Sequence, residues 1–208
     1  MSREHDLWVI PLICPDCNAR LTAESGSVIF TCAACGVLCE PEGETLTRRE
    51  FHVLSGEGSI HIPFWLFPFQ VDTRETTVST LAGYRGMTGN INSLETERQG
   101  TPPLVFVPAC TGMATHLMVR AGRLLTIRSP ALALSKTFPE RIMAIGSRER
   151  DASLMAQTIV LATIGEERRR SLSFLQAFTV KVGRGKLCAI PFEERGERLL
   201  HAAWALEI

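Results

Sequence analysis

Two Cys-x2-Cys pairs, Cys14 with Cys17 and Cys32 with Cys35, stand fourteen residues apart in "CPDCNARLTAESGSVIFTCAAC". In a reducing compartment such paired thiols serve as metal ligands rather than disulfides. Each pair lets one tight turn aim two thiolates at a single ion, and Pro15 and Gly36 suit such turns. Four thiolates complete a tetrahedron and leave no position for water or substrate, so the spacing predicts a structural zinc rather than a catalytic one. A segment of this size buries too little apolar surface to fold alone, whereas structural zinc contributes about 10–16 kcal/mol at neutral pH. The metal therefore sets the local fold.

Between the knuckles, "RLTAESGSVIF" reads as two short strands around Ser25-Gly26, a hairpin signature. Two knuckles on hairpin-like turns resemble the zinc-ribbon, rubredoxin-like families over residues 7–45. The resemblance implies one ion held by Cys14, Cys17, Cys32 and Cys35. It implies no activity, because zinc ribbons occur in transcription factors, polymerase subunits, ribosomal proteins, enzymes and scaffolds. Iron in the same cage would make the segment a redox centre. Cys39 lies outside the pairing; it reads as a small buried side chain at the foot of the ribbon, with a ligand swap or a redox role as the alternative. Cys110 and Cys188 sit in apolar runs, "LVFVPAC" and "KLCAIPF", and read as core residues.

With 208 residues and 45% hydrophobic content, the chain can build one ordinary core plus a small appendage. The expected division is a zinc ribbon over 1–45 and an α+β domain over 46–208, joined by an acidic hinge, "EPEGETLTRRE". No apolar run is long enough to span a bilayer, and "MSREHDLWVIPLICPDC" lacks the basic start and unbroken apolar stretch of a signal peptide. A cytoplasmic protein is expected. Net charge is zero, yet residues 1–45 carry two basic against seven acidic side chains, a net of −5 that leaves +5 for the rest.

After the hinge, "FHVLSGEGSIHIPFWLFPFQVD" reads as two strands turning at Gly56-Glu57-Gly58, and "FTVKVGRGKLCAIPF" repeats that design. "PLVFVPA" is a further strand and "RIMAIG" a possible one. Proline cannot donate to a sheet ladder, so Pro63, Pro68, Pro108 and Pro191 belong at strand ends, bulges or edges. "LLHAAWALEI" reads as a last strand with Leu200, Ala202, Trp204, Leu206 and Ile208 on one face, closing an antiparallel meander over 172–208. About two helices are expected. One has Met113, Leu117, Arg120, Ala121 and Leu124 on one stripe, with Thr111 as cap and Gly122 as a weakness. The other has Leu154, Met155, Thr158, Ile159 and Ala162, with a cap at Ser147 or Asp151. Residues 84–103, rich in Gly, Asn, Thr and Glu, read as a flexible loop. The fold class is α+β, with a mostly antiparallel sheet.

No phosphate loop, paired-histidine zinc motif or nucleophile elbow is present. Cys110 and His116 are six residues apart, a spacing that does not by itself make a catalytic pair. Arg168, Arg169 and Arg170 read either as a phosphate patch, extended by Arg148, Arg150, Arg184 and Lys186, or as cations favoured at a helix C-terminus. The aromatic run within 62–71, Phe64, Trp65, Phe67 and Phe69, is either a strand buried on both faces or one whose outer face meets a partner. Three functions follow from these features. The first is a non-catalytic adaptor or assembly protein for a protein partner. The second is a nucleic-acid-binding protein, weakened by a cysteine segment with only Arg20 against Asp16 and Glu24. The third is a redox protein with an iron-loaded ribbon.

Overall fold

The aromatic run forms the spine of the molecule. In a computed structural model describing residues 10–89, 100–196, 198–201 and 206–207, it lies in β5, Ile60–Asp72, the longest strand. Apolar residues at consecutive positions suit a strand covered on both faces. Trp65, Phe67, Phe69 and Val71 enter one core cluster, while Ile60, Ile62, Phe64 and Leu66 enter another on the opposite face. Burial on both sides settles the run as core.

Strands line both edges of β5. Along one run β7, Leu104–Pro108, and the short β6, Thr77–Val78. Along the other run β9, Lys186–Arg195, and β8, Thr179–Val182. These two are not a hairpin. They form one interrupted strand in which Gly183–Gly185 oppose only Phe67 and Pro68, a β-bulge. β4, Phe51–Val53, pairs in parallel with the outer edge of β9. On the same edge, β10, Arg198–His201, pairs with β9 and then with β11, Leu206–Glu207. The eight-stranded sheet is antiparallel except at β4, and the chain is α+β.

The turn at Gly56–Gly58 likewise makes no hairpin, because β4 and β5 flank opposite edges of β9. The chain crosses over β9 instead, so close that a Cβ on Gly58 would lie 2.7 Å from the backbone nitrogen of Phe192. Glycine here permits close approach, a need that sequence alone does not separate from a tight turn.

Pro108 ends β7, as expected, while Pro63, Pro68 and Pro191 occupy strand interiors where the ladder is broken. Pro63 accepts from the Ala109 N–H at 2.8 Å; the carbonyl of Ala109, which Pro63 has no N–H to reach, accepts from Gly146 at 2.7 Å. Pro68 faces the bulge, and its carbonyl accepts from Gly183. Pro191 lies between the stretch of β9 that pairs with β4 and the stretch that pairs with β10. The expected terminal strand is also divided: β10 and β11 are antiparallel partners, while Ala202, Trp204 and Ile208 lie outside the described residues.

Helix α1, Leu81–Thr88, occupies the start of the segment expected to be a loop, whose residues 90–99 lie outside the description. Its Tyr84 packs edge-on against Phe69 and donates to Thr163 at 2.6 Å. Helices α2, Thr115–Arg128, and α3, Glu149–Thr163, are the two expected, but neither has a side-chain cap: their N-caps are Ala114 and Arg148 rather than Thr111, Ser147 or Asp151. α3 buries Ala152, Ala156, Ile159, Val160 and Thr163, leaving Leu154 exposed. α2 buries Ala121, Gly122, Leu125 and Thr126 against the open edge of β7, where Thr126 Oγ1 accepts from the Phe106 N–H at 3.1 Å. Gly122 is therefore no weakness, since a Cβ there would lie 2.5 Å from the Phe106 carbonyl oxygen and 2.6 Å from Ile159. "EERRR" does not close α3 but forms a separate turn, α4, Glu166–Arg169, followed by α5, Leu172–Ala177.

The N-terminal lobe has its own sheet of β1, Phe30–Thr31, β2, Leu38–Glu42, and β3, Thr45–Arg49. The expected acidic hinge is thus the β2–β3 hairpin. Ser25-Gly26 does turn, but the chain after it joins the body: Val28 donates to the Ile145 carbonyl at 2.8 Å, and Ile29 bridges the same residue. The "RIMAIG" segment forms only isolated bridges, yet it joins Ile29, His61 and Cys110 along one seam.

Candidate metal centre

The two knuckles repeat one backbone design. Cys14 donates its N–H to Ala19 and accepts from Asn18; Cys32 donates to Val37 and accepts from Gly36, all between 2.8 and 3.0 Å. Asn18 and Gly36 take positive φ, 60° and 74°, which closes each turn. Asparagine and glycine are the residues that tolerate that conformation, so each Cys-x2-Cys pair is followed by the residue its turn requires. Asn18 was legible as "CPDCN" beside "CAACG", a parallel that the spacing argument passes over.

This geometry gathers four sulfurs. The Sγ atoms of Cys14, Cys17, Cys32 and Cys35 all lie within 4.8 Å of one another, with Cys14 to Cys35 at 3.6 Å and Cys17 to Cys32 at 3.5 Å. A tetrahedral ion with metal–sulfur bonds near 2.3 Å demands sulfur separations of about 3.8 Å. The donor set therefore fits: four thiols could hold a metal ion, in a zinc-ribbon-like arrangement. The first cysteine of each knuckle is buried and the second exposed.

Backbone amides tune the thiols. Burial raises Cys14, but the N–H groups of Cys17 and Asp16 outweigh it and hold the thiol down at about 6. At Cys35 the Val37 N–H favours the thiolate, but burial and the neighbouring thiols prevail and push it up to about 12. Crowded thiols cannot all ionise without a cation among them, and a divalent ion removes that conflict.

Cys39 is buried in the lobe's small core with Leu21, Cys14 and Cys32. Burial, and then the Cys14 thiolate, push it up to about 12. Cys110 and Cys188 lie in the second core of the body, where burial raises them to about 11 and about 12. His116 is exposed on α2, so the Cys110–His116 pair is not assembled as a nucleophile and base.

A charged cluster with no local sequence signature joins lobe to body. Arg49 on β3 grips the buried Glu40 of β2 through Nε at 2.6 Å and through Nη2, and reaches Glu149 at the start of α3 at 3.2 Å. Its guanidinium lies 5.5 Å from the centre of the Trp65 ring, and Trp65 donates to the Ser147 carbonyl at 3.0 Å. Glu149 accepts from the Gly185 N–H in the bulge at 2.8 Å. Ile29 and Leu38, both from the lobe, are buried in the same core cluster as Trp65.

The basic residues named from sequence do not form one face. Arg148 approaches Glu40 at 3.9 Å, Arg168 donates to the Met87 carbonyl, and Arg170 pairs with Glu166. Arg184 and Lys186 line a different cavity, with Leu66. Among the described residues no helix is long and apolar enough to cross a membrane.

Compared with known protein families, curated proteins and solved structures, the chain matches none.

Proposed function

We propose that the chain is a non-catalytic zinc-ribbon adaptor, in which Cys14, Cys17, Cys32 and Cys35 hold one structural zinc and the ribbon, seated on the α+β body, presents a surface to a protein partner. One observation carries this reading. The thiol set is closed, yet the knuckles show apolar side chains to solvent: Ile13, beside Cys14, is 48% exposed, and Phe138, against Gly36, is 40% exposed. Large exposed apolar residues beside a rigid turn suit an interface more than a reaction site. Zinc fits four thiolates at tetrahedral spacing and needs no redox partner.

The test combines metal analysis with affinity capture from native lysate. The expected result is a colourless protein with one zinc per chain that retains a reproducible protein partner, and loses it in the Ile13→Glu, Phe138→Glu double variant while keeping its zinc. Visible absorption from bound iron would refute the zinc assignment. Capture unaffected by the double variant would refute the surface.

A further inference from the structure

The second core is open at one end. Along β5, the face holding Ile60, Ile62 and Phe64 is closed by packing from Met143 and Leu199, but near Leu66 it borders a cavity of about 650 Å³. The volume is in the range of small-molecule sites. Leu54 and Leu66 form its buried floor; Leu104, Leu132 and the 61% exposed Leu134 form its walls. Two cations, Arg184 from the bulge and Lys186 at the start of β9, stand on its rim.

Among the described residues the lining charge has one sign: no carboxylate lines the cavity, and neither Arg184 nor Lys186 has an ion-pair partner. The neighbouring acid, Glu50, is turned to His52 at 3.0 Å. On the same sheet Lys181 pairs with Asp72 and Arg198 with Glu207. An apolar trough ending at two unpaired cations is complementary to a chain that is apolar along its length and anionic at one end. Among the described residues His52 is the only aromatic ring in the lining, and leucines and prolines offer no stacking platform, which disfavours a nucleobase.

We propose that this cavity binds a medium- or long-chain carboxylate, with the acyl chain on Leu54, Leu66 and Leu104 and the carboxylate between Arg184 and Lys186. The site is separate from the cysteine cluster and does not depend on the adaptor reading. Apolar burial draws in the chain, and the two adjacent cations select the sign of the head group.

Calorimetric titration of the full zinc-loaded chain, with each probe below its micelle concentration, tests this. Dodecanoate is expected to bind one per chain, with affinity rising about fourfold per methylene across octanoate, decanoate and dodecanoate. Dodecyltrimethylammonium is expected to bind at least tenfold more weakly. The Arg184→Ala, Lys186→Ala double variant should lose at least tenfold in dodecanoate affinity, whereas Lys181→Ala, at another place on the sheet, should lose nothing. Leu134→Glu, at an exposed wall position where folding is not at stake, should also weaken binding. Methyl NMR shifts should move at Leu66 and Leu104. No saturable dodecanoate binding, equal affinity for the cationic amphiphile, or shifts confined to other leucines would each overturn the proposal.

Discussion

Asn18 and Gly36 hold equivalent places in the two knuckles: each lies in the left-handed region, and each donates its N–H to the carbonyl of the first cysteine of its pair, at 3.0 and 2.8 Å. A β-branched residue pays a steric penalty there of about 1–2 kcal/mol. Asn18→Val is therefore expected to weaken zinc binding about tenfold and Asn18→Gly to leave it unchanged, read by competition with a chromophoric chelator. Equal affinities for the two variants would show that the turn geometry does not limit the site.

Among the described residues, Arg49 is the one cation that bonds carboxylates from both lobe and body, Glu40 and Glu149. Removing it leaves the buried Glu40 with only Arg148 at 3.9 Å. Arg49→Ala is expected to cost about 3 kcal/mol, by the cost of breaking a buried pair from one side. Arg49→Lys should recover part of that, since an ammonium restores the charge but not the fork. Urea denaturation followed by tryptophan fluorescence checks both, and a loss below 1 kcal/mol for Arg49→Ala would contradict the role assigned to it.

Ile29 and Leu38 belong to the lobe by sequence and to the body's core by packing. Chelation of the metal is accordingly expected to lower the melting temperature of the whole chain in a single transition. Calorimetry with and without chelator decides this; two separate transitions, the second unmoved, would show that the lobe folds independently. Acid should act in the same direction. Metal-bound thiolates carry no protons, whereas without metal Cys35 holds its proton up to about 12. The metal-free state binds more protons, so the metal's stabilisation is present at high pH and is lost as pH falls. Metal retention measured from pH 8 down to pH 4 should decrease monotonically.

Gly122 brings α2 against β7 and α3 at distances that leave no room for a methyl group. Gly122→Ala gains helix propensity of up to about 1 kcal/mol but must displace backbone, and overpacking of this kind costs about 1–3 kcal/mol. Net destabilisation is expected in thermal melts; a rise in melting temperature would mean that the helices can separate without cost.

The clustering of Cys14, Cys17, Cys32 and Cys35 was legible because Cys-x2-Cys is a local pattern, complete within one turn. The buried role of Phe64 and Trp65 was legible for a similar reason, since apolar residues at adjacent positions need two covered faces. What failed was what depends on distant chain. Gly56–Gly58 resembles a hairpin turn, yet its partner is Phe192 on β9. In α3 the bulky stripe through Leu154 and Met155 suggested one face, whereas small Ala152 and Ala156 are the residues buried in the core cluster with Trp65 and Val107. Arg49, Glu40 and Glu149 are charged residues that read as surface until the fold places them around Trp65.

In the proposed metal centre four thiolates close the site and Cys39 stays outside it. X-ray absorption at the zinc edge, on the wild type and on Cys39→Ser, tests it most directly. The expected result for both is one zinc per chain with four sulfur neighbours at about 2.3 Å. A nitrogen or oxygen neighbour in the wild type, or loss of zinc in Cys39→Ser, would contradict the account.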